Sequence, residues 1–93
     1  MRVGVLSVSI HVPEAQSLKE RRHPVRSIKD LLRARLNVAV AEVGGSQQWQ
    51  RTELVVATVS EEEARVRSVL ADALSIMERN PEVEILHPVV EVW

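Results

Sequence analysis

Leu6, Val8, Ile10 and Val12 fall on one side of an extended chain, and Ser7, Ser9 and His11 fall on the other. A period of two predicts a strand over residues 5–12 with one face in a core. Pro13 stops it, and Ser17-Leu18-Lys19-Glu20 reads as a capping box, in which the hydroxyl and the carboxylate satisfy free amides at a helix start. The spacing then changes to three and four: Val25, Ile28, Leu32 and Leu36 mark the buried stripe of a helix. Pro24 lacks an amide hydrogen, so either the helix bends there or a loose first turn hands over to a main helix with Pro24 in its own first turn. Asn37 ends the helix, and residues 38–43 read as a second strand.

Residues 44–48 form a turn, and alternation with many β-branched residues returns over 49–59 as a third strand, so the second and third strands make a hairpin. Ser60-Glu61-Glu62-Glu63 reads as a second capping box, its carboxylates also favoured by the helix dipole. Val66, Val69, Leu70, Ala73 and Met77 are the buried stripe of the second helix, which Asn80-Pro81 ends. Residues 83–92 form the last strand, and Pro88 within it requires an edge position or a bulge. Two strand–helix–strand units joined by a hairpin most economically give a four-stranded antiparallel sheet with both helices on one face. This is an α+β, ferredoxin-like βαββαβ arrangement in one domain over 1–93, its first and third strands central under right-handed crossovers.

Composition sharpens the picture. The 93 residues suffice for one core, and their 45% hydrophobic content includes no Phe or Tyr and only two Trp, so the core is aliphatic. The chain has no Cys. That excludes disulfides and thiolate zinc sites, and agrees with a reducing compartment, for which the cytoplasm is the default. No apolar run is long enough to span a bilayer, so a soluble protein without a membrane partner is expected.

The net charge of −1 conceals a gradient. Residues 1–36 hold eight Lys/Arg against three Asp/Glu, and residues 61–93 hold three against eight. In the first helix Lys19, Arg22, Arg26, Lys29 and Arg33 step by three and four into one stripe, with Arg21 and Arg35 flanking it and only Glu20 and Asp30 offsetting it. At 1.5 Å per residue it runs about 20 Å, long enough to track a phosphate backbone. The alternative is a solvated face, neutralised within the molecule by an acidic second helix packed beside the first.

Residues 17–22, 37–43 and 49–51, in this order and spacing, resemble the YlxP-like family of small bacterial proteins of undetermined function. The resemblance spans nearly the whole chain. It implies a ferredoxin-like fold and genes that often lie among those for translation initiation and ribosome maturation, an associational pointer to RNA or ribosomal components as partners. It supplies no catalytic residues to carry over.

A second surface is the sheet face away from the helices. Trp49 and Arg51 share it with Val55, Ala57 and Val59, and the hairpin register adds Ala39, Ala41 and Val43. A face this apolar suggests a partner, most simply a second copy, with Val43, Trp49, Arg51 and Val55 at the interface. The alternative is cover from the chain's own carboxy-terminal segment and Trp93. Base stacking on this sheet is rejected, because the first strand has no aromatic and the third has Trp49 alone, at its start. The segment after the first strand lacks the glycines and arginine of an acylphosphatase-type phosphate loop. His11, His23 and His87 are too scattered to pair as metal ligands, and Glu42 beside Arg51 or Trp49 is expected to make a structural pair at the hairpin. No catalytic residues, metal or cofactor are therefore expected. The sequence points to a non-enzymatic binding module, RNA- or ribosome-associated through its first helix. The rival reading is a protein-interaction or homodimeric assembly module that uses the sheet face or an edge strand.

Overall fold

The computed structural model describes residues 1–44 and 50–93. The elements run β1 (Arg2–His11), α1 (Leu18–Arg35), β2 (Ala39–Val43), β3 (Arg51–Ser60), α2 (Glu63–Glu78) and β4 (Glu84–Val92). The four strands form one sheet in the order β2-β3-β1-β4, with every neighbouring pair antiparallel. β1 and β3 are central, as the crossover rule requires. The fold is ferredoxin-like.

The inner face follows from strand parity. Leu6, Val8 and Ile10 of β1 and Leu54 and Val56 of β3 point toward the helices and are at most 1% exposed. Val25, Ile28 and Leu32 of α1, with Val66, Leu70 and Met77 of α2, close the core from the other side. Each such aliphatic side chain contributes about 1.5–3 kcal/mol by leaving water. Among the described residues no aromatic ring lies in this core, so the layers must come close, and at one point they do so through a glycine. Gly4 lies on the inner side of β1, where an added Cβ would overlap Val66 Cγ1 and stand 3.0 Å from Leu70 Cδ1.

Both helix starts have identifiable causes, and one differs from expectation. Ser17 caps α1, its hydroxyl accepting from the Glu20 amide at 3.1 Å, while the Glu20 carboxylate accepts from the Gln16 amide at 2.6 Å. Pro24 sits buried inside this single helix, in its second turn, so the chain does not break into a short first turn and a main helix. The second capping box does not form. β3 continues through Ser60, and α2 starts at Glu63 with Glu62 as a cap that makes no side-chain bond. The Ser60 hydroxyl instead accepts from the Glu62 amide at 3.2 Å, a local turn bond that competes with capping.

β4 is an edge strand and carries a bulge as well. Its pairing with β1 shifts register between Ser7 and Ser9, where His87 has a φ of 52° just before Pro88. Both the missing proline amide and the left-handed residue interrupt the ladder at the sheet margin, where the cost is smallest.

Gly4→Ala is expected to lower stability by about 1–3 kcal/mol through overpacking of β1 against α2, read as a fall in the urea midpoint. Val66→Ala in the Gly4→Ala background is expected to recover part of that loss.

Candidate nucleic-acid interface

α1 crosses the sheet on the β2 side, and its cationic stripe runs along the outer flank beside that edge strand. Two contacts place it there. Lys29 Nζ lies 2.9 Å from Glu42 Oε1, and Arg33 Nη2 donates to the Val40 carbonyl at 2.9 Å. Lys19, Arg22 and Arg26 are exposed, and none has a carboxylate within 4 Å among the described residues. With His23, Lys29 and Glu42 these three line a shallow depression of about 510 Å³. The structure thus assembles all five predicted cations on one flank, with Lys29 and Arg33 also tied to β2.

Among the described residues no ion pair joins the stripe to α2. The Glu63 carboxylate, at the start of α2, instead bridges Arg2 at 2.7 Å and Arg67 at 2.8 Å. These bonds and charges, Arg67 foremost, hold the Glu63 carboxyl below its ordinary pKa.

Arg21 corrects the sequence reading. Instead of flanking the stripe it is 7% exposed, donates to the Arg51 carbonyl at 3.0 Å and lies 4.0 Å from Glu42. Arg21, Val25, Ile28 and Leu32 step by four, three and four, so the periodicity that marks the apolar stripe includes it. Arg35 is exposed as expected. Glu42 also departs from expectation. It points to the helix side of β2, away from the Arg51 side chain, where Lys29, Arg21 and the Thr52 hydroxyl at 3.1 Å converge on it. Burial acts to raise the Glu42 pKa, but the Lys29 hydrogen bond and charge, with Thr52 and Arg21, outweigh it and leave the carboxyl below its ordinary value.

The far side of the sheet carries the other predicted set. Val43 is 44% exposed and Val59 61%, while Arg51 and Val55 are half-buried; Trp49 lies outside the described residues. Trp93 pairs with Val3 through two backbone bonds of 2.8 and 3.1 Å and is 62% exposed. By strand parity it extends this face rather than covering it. Glu53 occupies the same face and makes it less apolar than expected. Its carboxylate accepts from the Ser9 hydroxyl at 2.7 and 2.9 Å. His11 Nδ1 meets Glu84 Oε1 at 2.6 Å nearby. Both sheet edges are obstructed to strand addition, β2 by Arg33 on the Val40 carbonyl and β4 by its bulge.

Because the Glu42 pKa is depressed on folding, the stability it contributes is present above the ordinary value of 4.5 and is lost as pH falls through the lower folded value. Glu42→Gln is therefore expected to flatten the acid side of the stability–pH curve below that value. At neutral pH its cost should stay under about 1 kcal/mol, because the group is partly solvent-screened. Urea titrations across that range measure both.

Among the described residues, no helix is long and apolar enough to cross a membrane. A de novo designed protein with a ferredoxin fold superimposes with a TM-score of 0.63 at 16% identity, over 98% of this chain and 86% of the design. A C-terminal segment of the alpha subunit of aIF2 from Pyrococcus abyssi gives 0.57 at 13% identity, over 91% of this chain and 50% of that one. At such identities the likeness is one of fold. In sequence, the uncharacterized protein YlxP of Bacillus subtilis (strain 168) is 29% identical over 82 residues, 88% of this chain and 89% of that protein. Residues 3–89 match the family model described as protein of unknown function (DUF503), and the chain belongs to that family.

Proposed function

We propose that this protein is a non-enzymatic, cytoplasmic RNA-binding module that associates with ribosomal components through the outer flank of α1. One observation carries the reading: Lys19, Arg22 and Arg26 stand exposed in a row without carboxylate partners among the described residues. Lys29 and Arg33 continue the row while anchored to β2. Unpaired cations on a rigid helix meet phosphate at little cost in ordering, and each contact releases a condensed counterion. A surface side-chain ion pair within the protein would have cancelled that gain, and among the described residues only Glu42 offers one.

The mode of binding follows from what surrounds the stripe. The cations are long side chains over a shallow depression whose lining is cationic apart from His23 and Glu42. They therefore contact backbone rather than bases, and sequence preference is weak. RNA rather than DNA is favoured by the translation-related gene neighbourhood implied by the YlxP-like resemblance.

Filter binding to ribosomal RNA at several salt concentrations tests the reading. Arg22→Ala with Arg26→Ala is expected to weaken binding for all sequences alike and to reduce the slope of log K against log salt by about 1.4–1.8, the loss of two phosphate contacts. Both residues are exposed, so the circular dichroism spectrum should not change. Unaltered affinity and slope in a folded double variant would overturn the proposal.

A further inference from the structure

We infer that the outer face of the sheet seats a second copy of this chain, packed face to face about a two-fold axis that runs across the strands. Half of the large hydrophobic side chains that stand exposed among the described residues, Val43, Val59, Val89 and Trp93, lie on this one face. Across its middle the row reads Ala41, Val55, Ser7, Val89. Such small side chains leave a flat surface, and a second flat sheet can approach it at the usual spacing of about 10 Å.

The area suffices for a dimer. Four strands about 4.8 Å apart, with about 3.3 Å per residue and β2 only half as long as β3, present a face of roughly 540 Å². Two copies would then bury roughly 1,100 Å², just above the ~1,000 Å² that a specific interface should clear. The edges do not offer an alternative route, since Arg33 occupies the β2 edge and the bulge interrupts β4.

The charges on the face choose both the partner and its orientation. Glu53, Glu84 and Glu91 outnumber Arg51, so nucleic acid is repelled from this side. Arg51 has no carboxylate within 4 Å, and Glu91 has no cation within 4 Å, among the described residues. The two lie toward opposite ends: Arg51 opens β3, and Glu91 is level with Ala57, six residues farther along and about 20 Å away. A two-fold axis across the strands keeps their order, so a strictly perpendicular one would set Glu84 of one copy against Glu91 of the other; inclined by roughly 25° from the perpendicular, it brings each Arg51 to Glu91 of the other copy and carries Glu84 past the β4 edge. The face is thus complementary to itself, which an isologous interface requires.

Sedimentation equilibrium of the full chain is expected to give twice the 10.5 kDa monomer mass. Val55→Glu, which buries a carboxylate at the centre, should weaken association at least about tenfold with the circular dichroism spectrum retained. Arg51→Glu should weaken it too, and Arg51→Glu with Glu91→Arg should restore it. A monomeric wild type, or a dimer that persists in Val55→Glu, overturns the inference. So does a monomeric wild type whose Val55→Glu variant loses a bound protein of another sequence, which would give the face to that protein. Failure of the double reversal to restore the dimer overturns the proposed orientation. None of these outcomes bears on RNA binding by α1.

Discussion

The one-sided burial of an aliphatic sheet is the constraint on which the rest of this structure depends. Leu6, Val8, Ile10, Leu54 and Val56 all point the same way, so both helices must lie on that side. Among the described residues no aromatic ring fills the space between the layers, and α2 settles so near β1 that only a glycine fits at position 4. With α2 over the central strands and β4, α1 is left the β2 side of the sheet. Its outer flank then has no helical neighbour, and the far sheet face has no helix at all.

Electrostatics refine this placement rather than create it. Glu42 accepts Lys29 and the Thr52 hydroxyl and faces Arg21, which also holds the Arg51 carbonyl. The cluster links α1 to both strands of the hairpin, a link that aliphatic packing alone would leave free to slide. It uses two of the helix's cations. The exposed ones, Lys19, Arg22 and Arg26, have no carboxylate within 4 Å among the described residues and face solvent. That separation makes the charge gradient along the chain a separation in space.

The two uncovered surfaces differ in chemistry and therefore in suitable partners. The α1 flank is basic, with long cationic side chains around a shallow depression, and suited to phosphate. The sheet face is flat, built of Ala, Val and Ser with a few carboxylates, and suited to another flat surface. Because they lie on different layers, occupation of one does not obstruct the other. A paired module would also carry two basic flanks, and linked sites raise apparent affinity without a new contact.

Strand and helix positions, the strand order and the identity of the core were legible in the sequence, because they follow from periodicities of two and 3.6 and from connection rules that hold in any βαββαβ chain. The basic stripe was legible for the same reason, being itself a helical period. What only the tertiary structure decided depends on where elements meet. The same spacing that marks Val25 and Ile28 also marks Arg21, but its burial depended on the hairpin offering Glu42 and a carbonyl. The Ser60 capping box failed because β3 pairing with β1 extends to Ser60, and strand bonds there outweigh a local cap. The placement of the free cations along β2 depended on which side of the sheet each helix occupies. A one-dimensional charge count contains no such information, because neutralisation is a matter of distance.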